Sequence, residues 1–235
     1  MILNNHSKFA LGESFLNKHQ KLMDVFKRNN LTLEISEDLN NLKTLLTSLS
    51  KEEYPYDFDE FFLTGHAKNS PIYFYLNLKN HNEIVATYTA RNMGVHKFTD
   101  LIKRKFTTSD FHKDLSEYLP KDKSFFVFNP FYSSCQWVKQ SYRQKNIGIV
   151  LDHLKKNIVF DIFDSDLNYC IHKQSLSDYH LQKLKYSSSE WIMTVPKGNV
   201  GGAGSEEDKV YHLAWEFKND WNKKYNELQN EYKNY

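Results

Sequence analysis

The stretch SYRQKNIGIVLDHLKKN, residues 141–157, decides how the rest of the chain is interpreted. From Ile147 onward, through the second half of this stretch and beyond it, apolar residues recur at the spacing of one buried helix face. These apolar positions are Ile147, Val150, Leu151, Leu154, Ile158 and Ile162. The spacing predicts a helix that begins near Asn146 and continues to about Phe163. On its opposite side, where we expect solvent, lie Asp152, His153, Lys155 and Lys156.

The first half of the stretch is polar and cationic, and it follows a strand-like segment at 133–139. The first turn of a helix has backbone amides without partners, and the aligned peptide dipoles place positive potential there. A tight turn from a strand into a helix can direct those amides at a pyrophosphate. Arg143 and Lys145 add positive charge, and Gly148 leaves room for close approach of a ligand. An ordinary amphipathic helix with a polar first turn is the alternative that these residues leave open.

Strand-like and helix-like segments alternate along the remaining chain. The predicted strands span 31–36, 72–78, 83–91, 124–130, 133–139, 167–173, 190–195 and 210–217. The predicted helices span 16–28, 37–49 after a Ser36 cap, 96–106, 146–163 and 177–185. Turn-forming KNHN at 79–82 predicts a hairpin, and the two late strands imply a further antiparallel pair. We therefore expect an α+β fold with a mixed, mostly antiparallel central sheet flanked by helices.

This order of elements resembles the GNAT superfamily of acyl-coenzyme A-dependent N-acyltransferases. The family's pyrophosphate motif is Arg or Gln, two variable residues, Gly, one variable residue, then Gly or Ala. The matching positions here are Arg143, Gln144, Lys145, Asn146, Ile147 and Gly148. Asn146 departs from the family, which has its first glycine there, but Asn tolerates a left-handed backbone and so permits the turn. The segments predicted from this match are an N-terminal helical extension (1–30), a GNAT-like domain (31–217, with an insert at about 95–131) and a polar helical tail (218–235).

The resemblance implies direct attack of an amine on the thioester of acetyl-CoA or another acyl-CoA. Backbone amides at Trp137 and Val138 are expected to hold the pantetheine arm and to polarise the carbonyl. Tyr186, just before the sixth family strand, is expected to protonate the departing thiolate. A packed tyrosine without a catalytic role is the alternative, because the chain has 15 tyrosines. No carboxylate in 133–139 offers itself as a general base.

An acidic and aromatic segment, KEEYPYDFDEFF at 51–62, falls in the region of the family's acceptor-side helices. We expect Asp57, Asp59 and Glu60 to attract a cationic amine, with a solvated loop as the alternative. The glycine-rich segment at 198–208 is expected to be a long loop between the last two strands.

Composition excludes several other classes of function. The 31 basic and 29 acidic residues give a formal net charge of +2, which provides no global field for nucleic acid or an anionic membrane. No signal peptide and no apolar stretch of about 18 residues is present, so we expect a cytoplasmic protein. The two cysteines and scattered histidines lack the spacing of metal ligands, so we expect no metal. Cys135, inside a predicted strand, is more consistent with the core than with covalent catalysis.

Two alternatives to an acyltransferase remain at this level. A catalytically inactive module of the same fold would explain Asn146 and the missing strand carboxylate, and it would bind a protein partner or a second copy of the chain. RNA binding through aromatic rings and the clusters at 103–105 and 223–224 is disfavoured by the near-neutral charge.

Overall fold

The computed structural model describes residues 4–5, 11–50, 73–93, 96–97, 126–195 and 209–235. The strands are β1 (Asn4–Asn5), β2 (Thr32–Ser36), β3 (Tyr73–Asn80), β4 (Glu83–Asn92), β5 (His96–Lys97), β6 (Phe126–Val127), β7 (Phe131–Val138), β8 (Leu167–Lys173), β9 (Ser188–Val195) and β10 (Lys209–Phe217). The α-helices are α1 (Glu13–Lys18), α2 (Gln20–Arg28), α3 (Leu39–Ser48), α4 (Ile147–Asn157) and α5 (Lys218–Leu228). Shorter turns of 3₁₀ helix (Gln140–Lys145) and π-helix (Ile158–Ile162, Tyr179–Lys183) flank or follow α4.

Eight of these strands form one mixed sheet in the order β1-β2-β3-β4-β7-β8-β10-β9, and β5 pairs with β6 apart from it. Only β1–β2 and β7–β8 are parallel pairs among the described strands. The predicted α+β fold with a mostly antiparallel sheet is therefore confirmed. The predicted hairpin is also confirmed, because β3 and β4 pair up to Asn80 and Glu83, with His81 in a left-handed conformation (φ 52°) at the turn.

The sheet opens between β7 and β8. Within the described residues their parallel pairing covers only three positions and stops at Ser133 and Cys170. Beyond this point β7 continues to Val138, paired with β4 on its other side. A β-bulge also interrupts the β4–β7 ladder, since Thr87 and Thr89 lie opposite Trp137 and Ser134. A bulge increases local twist and bends the strand, so it favours this divergence.

One face of the sheet carries the main core. Alternate residues of the hairpin point to this face, as strand geometry requires, and they pack against α4 and both terminal segments. The terminal residues in this cluster include Leu22, Val25, Phe26, Trp221, Tyr225, Leu228 and Tyr232. The division at 30/31 and 217/218 stays a prediction, but the described parts of all three segments contribute to one core. On the opposite face, α3 packs Leu42 and Leu46 against Tyr75 and Trp137.

Two sequence-based expectations about the helices need correction. Asp152, His153, Lys155 and Lys156 are not on a solvent face, since each is 0% exposed. Trp221 contacts His153 and Lys156, and Tyr232 also contacts His153. Tyr88, Ser133 and Tyr186 enclose Lys155, and the helical period does not reveal these distant contacts. The N-cap of α3 is Asp38, whose carboxylate accepts hydrogen bonds from two amides of the first turn at 3.0 and 3.2 Å, whereas Ser36 ends β2.

A helix was also predicted over 96–106, but its first two residues form strand β5 because they pair with Phe126 and Val127. The rest of that segment lies outside the described residues, as do the acidic segment at 51–62 and the glycine-rich segment at 198–208. Among the described helices, none is long and apolar enough to cross a bilayer.

Candidate active site

The turn into α4 depends on Asn146. This residue has φ 55° and ψ 13°, the left-handed conformation, and it separates the 3₁₀ turn from the helix. Its carbonyl oxygen accepts hydrogen bonds from the amides of Ile149 at 3.0 Å and Val150 at 3.1 Å, so the helix begins at once. The expectation that Asn could take the backbone role of a glycine here is confirmed.

Three consecutive amides at this helix N-terminus are available to a ligand. In the part of the chain that the structure describes, no protein group accepts a hydrogen bond from the N–H of Asn146, Ile147 or Gly148. Successive free N–H groups beside a left-handed residue form an anion-binding concavity, and the helix dipole adds positive potential. A buried helix end without partners is unfavourable, so this geometry suits an anionic ligand.

The three residues before this turn surround it with exposed polar side chains. The Arg143 Nε donates a hydrogen bond to the Val138 carbonyl at 2.9 Å, which fixes that guanidinium next to the end of β7. Gln144 and Lys145 are exposed, and the Lys145 ammonium lies 4.9 Å from the centre of the Tyr142 ring. All of the predicted motif residues from 143 to 148 therefore lie on one turn. Their contact with a cofactor stays a prediction.

Gly148 has a packing role in addition to the predicted one. A Cβ built at this position would lie 2.9 Å from the Val138 Cγ2 and 3.4 Å from the Gln136 Nε2. The missing side chain therefore lets α4 approach β7 closely. The Gln136 Nε2 also donates to the Gly148 carbonyl at 3.0 Å, which fixes the strand to the first helical turn.

The two predicted backbone donors of β7 lie on different sides of the strand. The Lys139 amide donates to the Val85 carbonyl of β4 at 2.8 Å, and backbone groups alternate in direction along a strand. Val138 therefore directs its amide away from β4 and toward the opening. Its carbonyl points the same way, since it accepts the hydrogen bond from Arg143. Trp137 directs its amide toward β4, opposite Thr87. The role of Val138 toward a cofactor stays a prediction, and the strand pairing does not support Trp137 in the same role.

Tyr186 lies in the interior behind the point where β7 and β8 diverge. It is only 2% exposed, and its hydroxyl accepts hydrogen bonds from the Asn168 Nδ2 at 2.9 Å and the Lys155 Nζ at 3.2 Å. Burial raises the pKa of Tyr186 well above its ordinary value. This is not a surface tyrosine, and its proposed role as an acid depends on the groups around it.

A second tyrosine, Tyr179, lies nearer to the helix N-terminus. Its hydroxyl is 3.8 Å from the position that a Cβ on Gly148 would occupy. Burial raises the pKa of Tyr179 above its ordinary value. The sequence analysis did not single out Tyr179, because no local pattern indicates that the π-helical turn Tyr179–Lys183 would bring it here.

A buried charge cluster on α4 was missed by the sequence analysis. The Asp152 carboxylate lies 2.9 Å from the Lys155 Nζ and 3.2 Å from the Lys156 Nζ, with all three side chains 0% exposed. Burial by itself would raise the pKa of Asp152, but the two lysine charges outweigh it and lower that pKa. Burial lowers the pKa of Lys155 to about 8 and raises that of the Cys170 thiol to about 11.

The remaining predicted site residues are not placed by the structure. Asp57, Asp59 and Glu60 lie outside the described residues, as does the side chain of Cys135. Among the residues that are described, no three His, Cys, Asp or Glu side chains converge on a point that could hold a metal ion.

The fold is similar to that of a solved N-acyl-transferring enzyme, and the GNAT-like fold expected from the sequence is confirmed. FeeM, an N-acyl amino acid synthase from uncultured soil microbes, superposes with a TM-score of 0.51 at 11% identity, over 81% of this chain and 92% of FeeM. A Drosophila melanogaster polyamine N-acetyltransferase superposes with a TM-score of 0.49 at 14% identity, over 79% of this chain and 99% of that enzyme. Arabidopsis thaliana NAA60 in complex with acetyl-CoA superposes with a TM-score of 0.46 at 12% identity, over 80% of this chain and 99% of NAA60. These are similarities of fold, since neither a protein-family model nor a curated protein matches the sequence.

Proposed function

We propose that the protein is an N-acyltransferase that moves an acyl group, most simply acetyl, from acyl-CoA to an amine. The observation that carries this proposal is the row of amides at Asn146, Ile147 and Gly148, which have no acceptor among the described residues and lie beside the opening between β7 and β8. A diphosphate offers several anionic acceptor oxygens, which are the preferred partners of amides at a helix N-terminus. The fold of FeeM, described as an N-acyl amino acid synthase, supports the same class of reaction.

The pantetheine arm would extend from this turn along the free edge of β7. Val138 directs its amide toward the opening, and an extended chain of amides can pair with a strand edge as an added strand does. The thioester would then lie near Ser133 and Cys170, where the two strands meet. Fixed backbone donors in such a cleft can polarise a carbonyl without help from a side chain.

The reaction would be direct attack of the neutral amine on the thioester carbonyl. An alkyl amine has a pKa of about 10.4, so a proton must leave it before attack, and the departing thiolate must gain one. We assign protonation of the thiolate to Tyr186. Asp57, Asp59 and Glu60 remain our proposed attraction for a cationic acceptor, and a cytoplasmic location remains part of the proposal.

The decisive measurement is a thermal-shift titration with acetyl-CoA, compared with CoA and ATP. A ligand at a hundredfold excess over its Kd stabilises the folded state by about 2.7 kcal/mol. Gly148→Glu, which places a carboxylate in the amide-lined turn, should abolish the shift measured from its own baseline. Gly12→Glu is the matched control, because a Cβ at Gly12 meets nothing within 4 Å. No binding of any acyl-CoA at millimolar concentration would exclude the proposed function.

Turnover is tested separately by free-thiol release with a panel of amines. Tyr186→Phe should lower kcat by about 100-fold, the lower end of typical acid–base contributions, while the acetyl-CoA shift persists. An unchanged kcat would reject Tyr186 as the acid, and Tyr179→Phe in parallel tests the nearer hydroxyl. Binding of acyl-CoA without thiol release for any amine would indicate the inactive module instead.

A further inference from the structure

The charge cluster on α4 is unbalanced. One carboxylate, Asp152, faces two lysines, and all three side chains are 0% exposed. Burying an ion is unfavourable unless it is paired, so the second positive charge lacks compensation inside the cluster. Such a cluster favours release of one proton, and the pKa of Lys155 is lowered to about 8, mainly by burial and further by Lys156. Burial and the excess positive charge of the cluster thus both favour the neutral form of Lys155.

The Lys155 ammonium also connects α4 to the place where the strands diverge. Its Nζ donates to the Ser133 Oγ at 2.7 Å, and Ser133 is opposite Cys170 in the last parallel pair of β7 and β8. The same Nζ lies 3.2 Å from the Tyr186 hydroxyl. Lys156 does not share this arrangement, since its ammonium donates to the Leu184 carbonyl and lies over the Tyr186 ring, 3.6 Å from its centre.

We propose, on the basis of the proposed function, that Lys155 is a positioning residue that exchanges protons with the reaction cleft through Tyr186 and Ser133. Tyr186 gives its proton to the departing thiolate and takes one from the Lys155 ammonium. The neutral Lys155 then regains a proton from the attacking nitrogen through the Ser133 hydroxyl. From the neutral amine onward, the nitrogen loses one proton and the thiolate gains one, so this exchange balances within the site. The proton that the acceptor's ammonium loses before attack goes to water.

This arrangement answers a difficulty with Tyr186 as an acid. Burial raises the pKa of Tyr186 well above its ordinary value, so a phenolate left alone in this interior would be unfavourable. A lysine ammonium at 3.2 Å removes the difficulty by returning a proton as the first one leaves. It also provides the proton acceptor that β7 lacks, because the segment 131–138 contains no carboxylate.

The titratable groups that face Lys155 come from four elements. They are Asp152, His153 and Lys156 of α4, Tyr88 of β4, Cys170 of β8, and Tyr186 before β9. Burial lowers the pKa of His153 to about 3 and raises the pKa of the Cys170 thiol to about 11. Burial also raises the pKa of Tyr88 well above its ordinary value. The lowered pKa of Lys155, about 8, thus lies between those of His153 and Cys170 in this set.

The test is the pH profile of kcat between pH 6 and 10, with an amine identified in the thiol-release assay. The acceptor's own titration is common to every variant, so differences between profiles report on the protein. Wild type should lose turnover above about pH 8, as Lys155 loses its proton. In Lys155→Met this decrease of kcat at high pH, the alkaline limb of the profile, should be absent. Its kcat should be about 100-fold lower than that of wild type, with the KM for acetyl-CoA within twofold of the wild-type value. Lys155→Arg keeps the charge but does not release a proton, so it should be equally slow.

Lys156→Met is the matched control, because it removes the other buried lysine of the same helix. It should keep the limb and move it to higher pH, since the Lys156 charge lowers the pKa of Lys155. The proposal is overturned if Lys155→Met keeps the wild-type profile, or if Lys156→Met loses the limb. A wild type that releases no thiol with any amine would instead remove the proposed function, and this inference with it.

Folding is checked by thermal melting of each variant. If Lys155→Met does not fold, Ser133→Ala tests the same path, with a slower turnover expected at unchanged acetyl-CoA binding. The wild-type protein also gives a direct readout: the Cε resonance of ¹³C-labelled Lys155, assigned by its loss in Lys155→Arg, should titrate near pH 8. The absence of any midpoint between pH 7 and 9 would contradict the inference without reference to activity.

Discussion

Gly148→Ala tests the contact between α4 and β7. The added Cβ would lie 2.9 Å from the Val138 Cγ2, where ordinary contacts are 3.4–4 Å. Overpacking of this kind destabilises a protein by about 1–3 kcal/mol. Alanine gains about 1 kcal/mol over glycine in helix propensity, which offsets part of the loss. We expect a net destabilisation of about 1 kcal/mol, measured as a lower midpoint of urea unfolding at an unchanged m-value.

The double variant with Val138→Ala separates packing from propensity. Shortening Val138 removes the methyl group that the new Cβ meets, so the double variant should be more stable than the sum of the single changes by about 1 kcal/mol. The experiment is done without ligand, which isolates the packing role of Gly148 from its proposed phosphate role. A Gly148→Ala protein that is more stable than wild type, together with zero coupling to Val138, would refute the argument.

Three further changes test the interior. Asp152→Asn leaves two buried lysines without a counter-charge and should cost about 3–5 kcal/mol of unfolding free energy, and a loss below 1 kcal/mol would contradict the described pairing. Burial lowers the pKa of His180 from 6.5 to about 3, with a smaller contribution from the neighbouring His172. Between these two pH values the unfolded chain binds more protons than the folded one, so the free energy of unfolding decreases as the pH falls below 6.5. His180→Gln should reduce the loss between pH 7 and 5 by about 2 kcal/mol in urea unfolding, and an unchanged loss would contradict that shift. Trp221→Phe removes the 2.7 Å hydrogen bond from its Nε1 to the Asn157 Oδ1 and should cost about 1–3 kcal/mol, whereas a neutral change in thermal melting would show that the bond contributes nothing.

The sequence was sufficient for the part of the fold that depends on local pattern. The apolar spacing from Ile147 located α4, and the turn chemistry at 79–82 located the hairpin. Asn146 could be predicted in a left-handed turn because few residue types tolerate that conformation. The match to a family motif then depended on the same short stretch.

The sequence was insufficient where a side chain's surroundings come from distant parts of the chain. Asp152 and the lysines beside it have the spacing of a solvated helix face, yet residues more than 50 positions away enclose that side. The placement of Tyr179 beside Gly148 depends on the path of a π-helical turn. The backbone direction of Trp137 depends on the register of β7 against β4, and the residue types of that strand do not predict this register.

The enclosure of α4 by the C-terminal segment has a consequence for biosynthesis. Trp221 follows its partner Asn157 by 64 positions, so the ribosome has released α4 well before the residues that cover it exist. Until then His153 and Lys156 lack the Trp221 and Tyr232 rings that contact them, so this part of the helix stays in contact with water. We therefore expect native structure around α4 to form only after the segment from 218 onward has emerged from the ribosome.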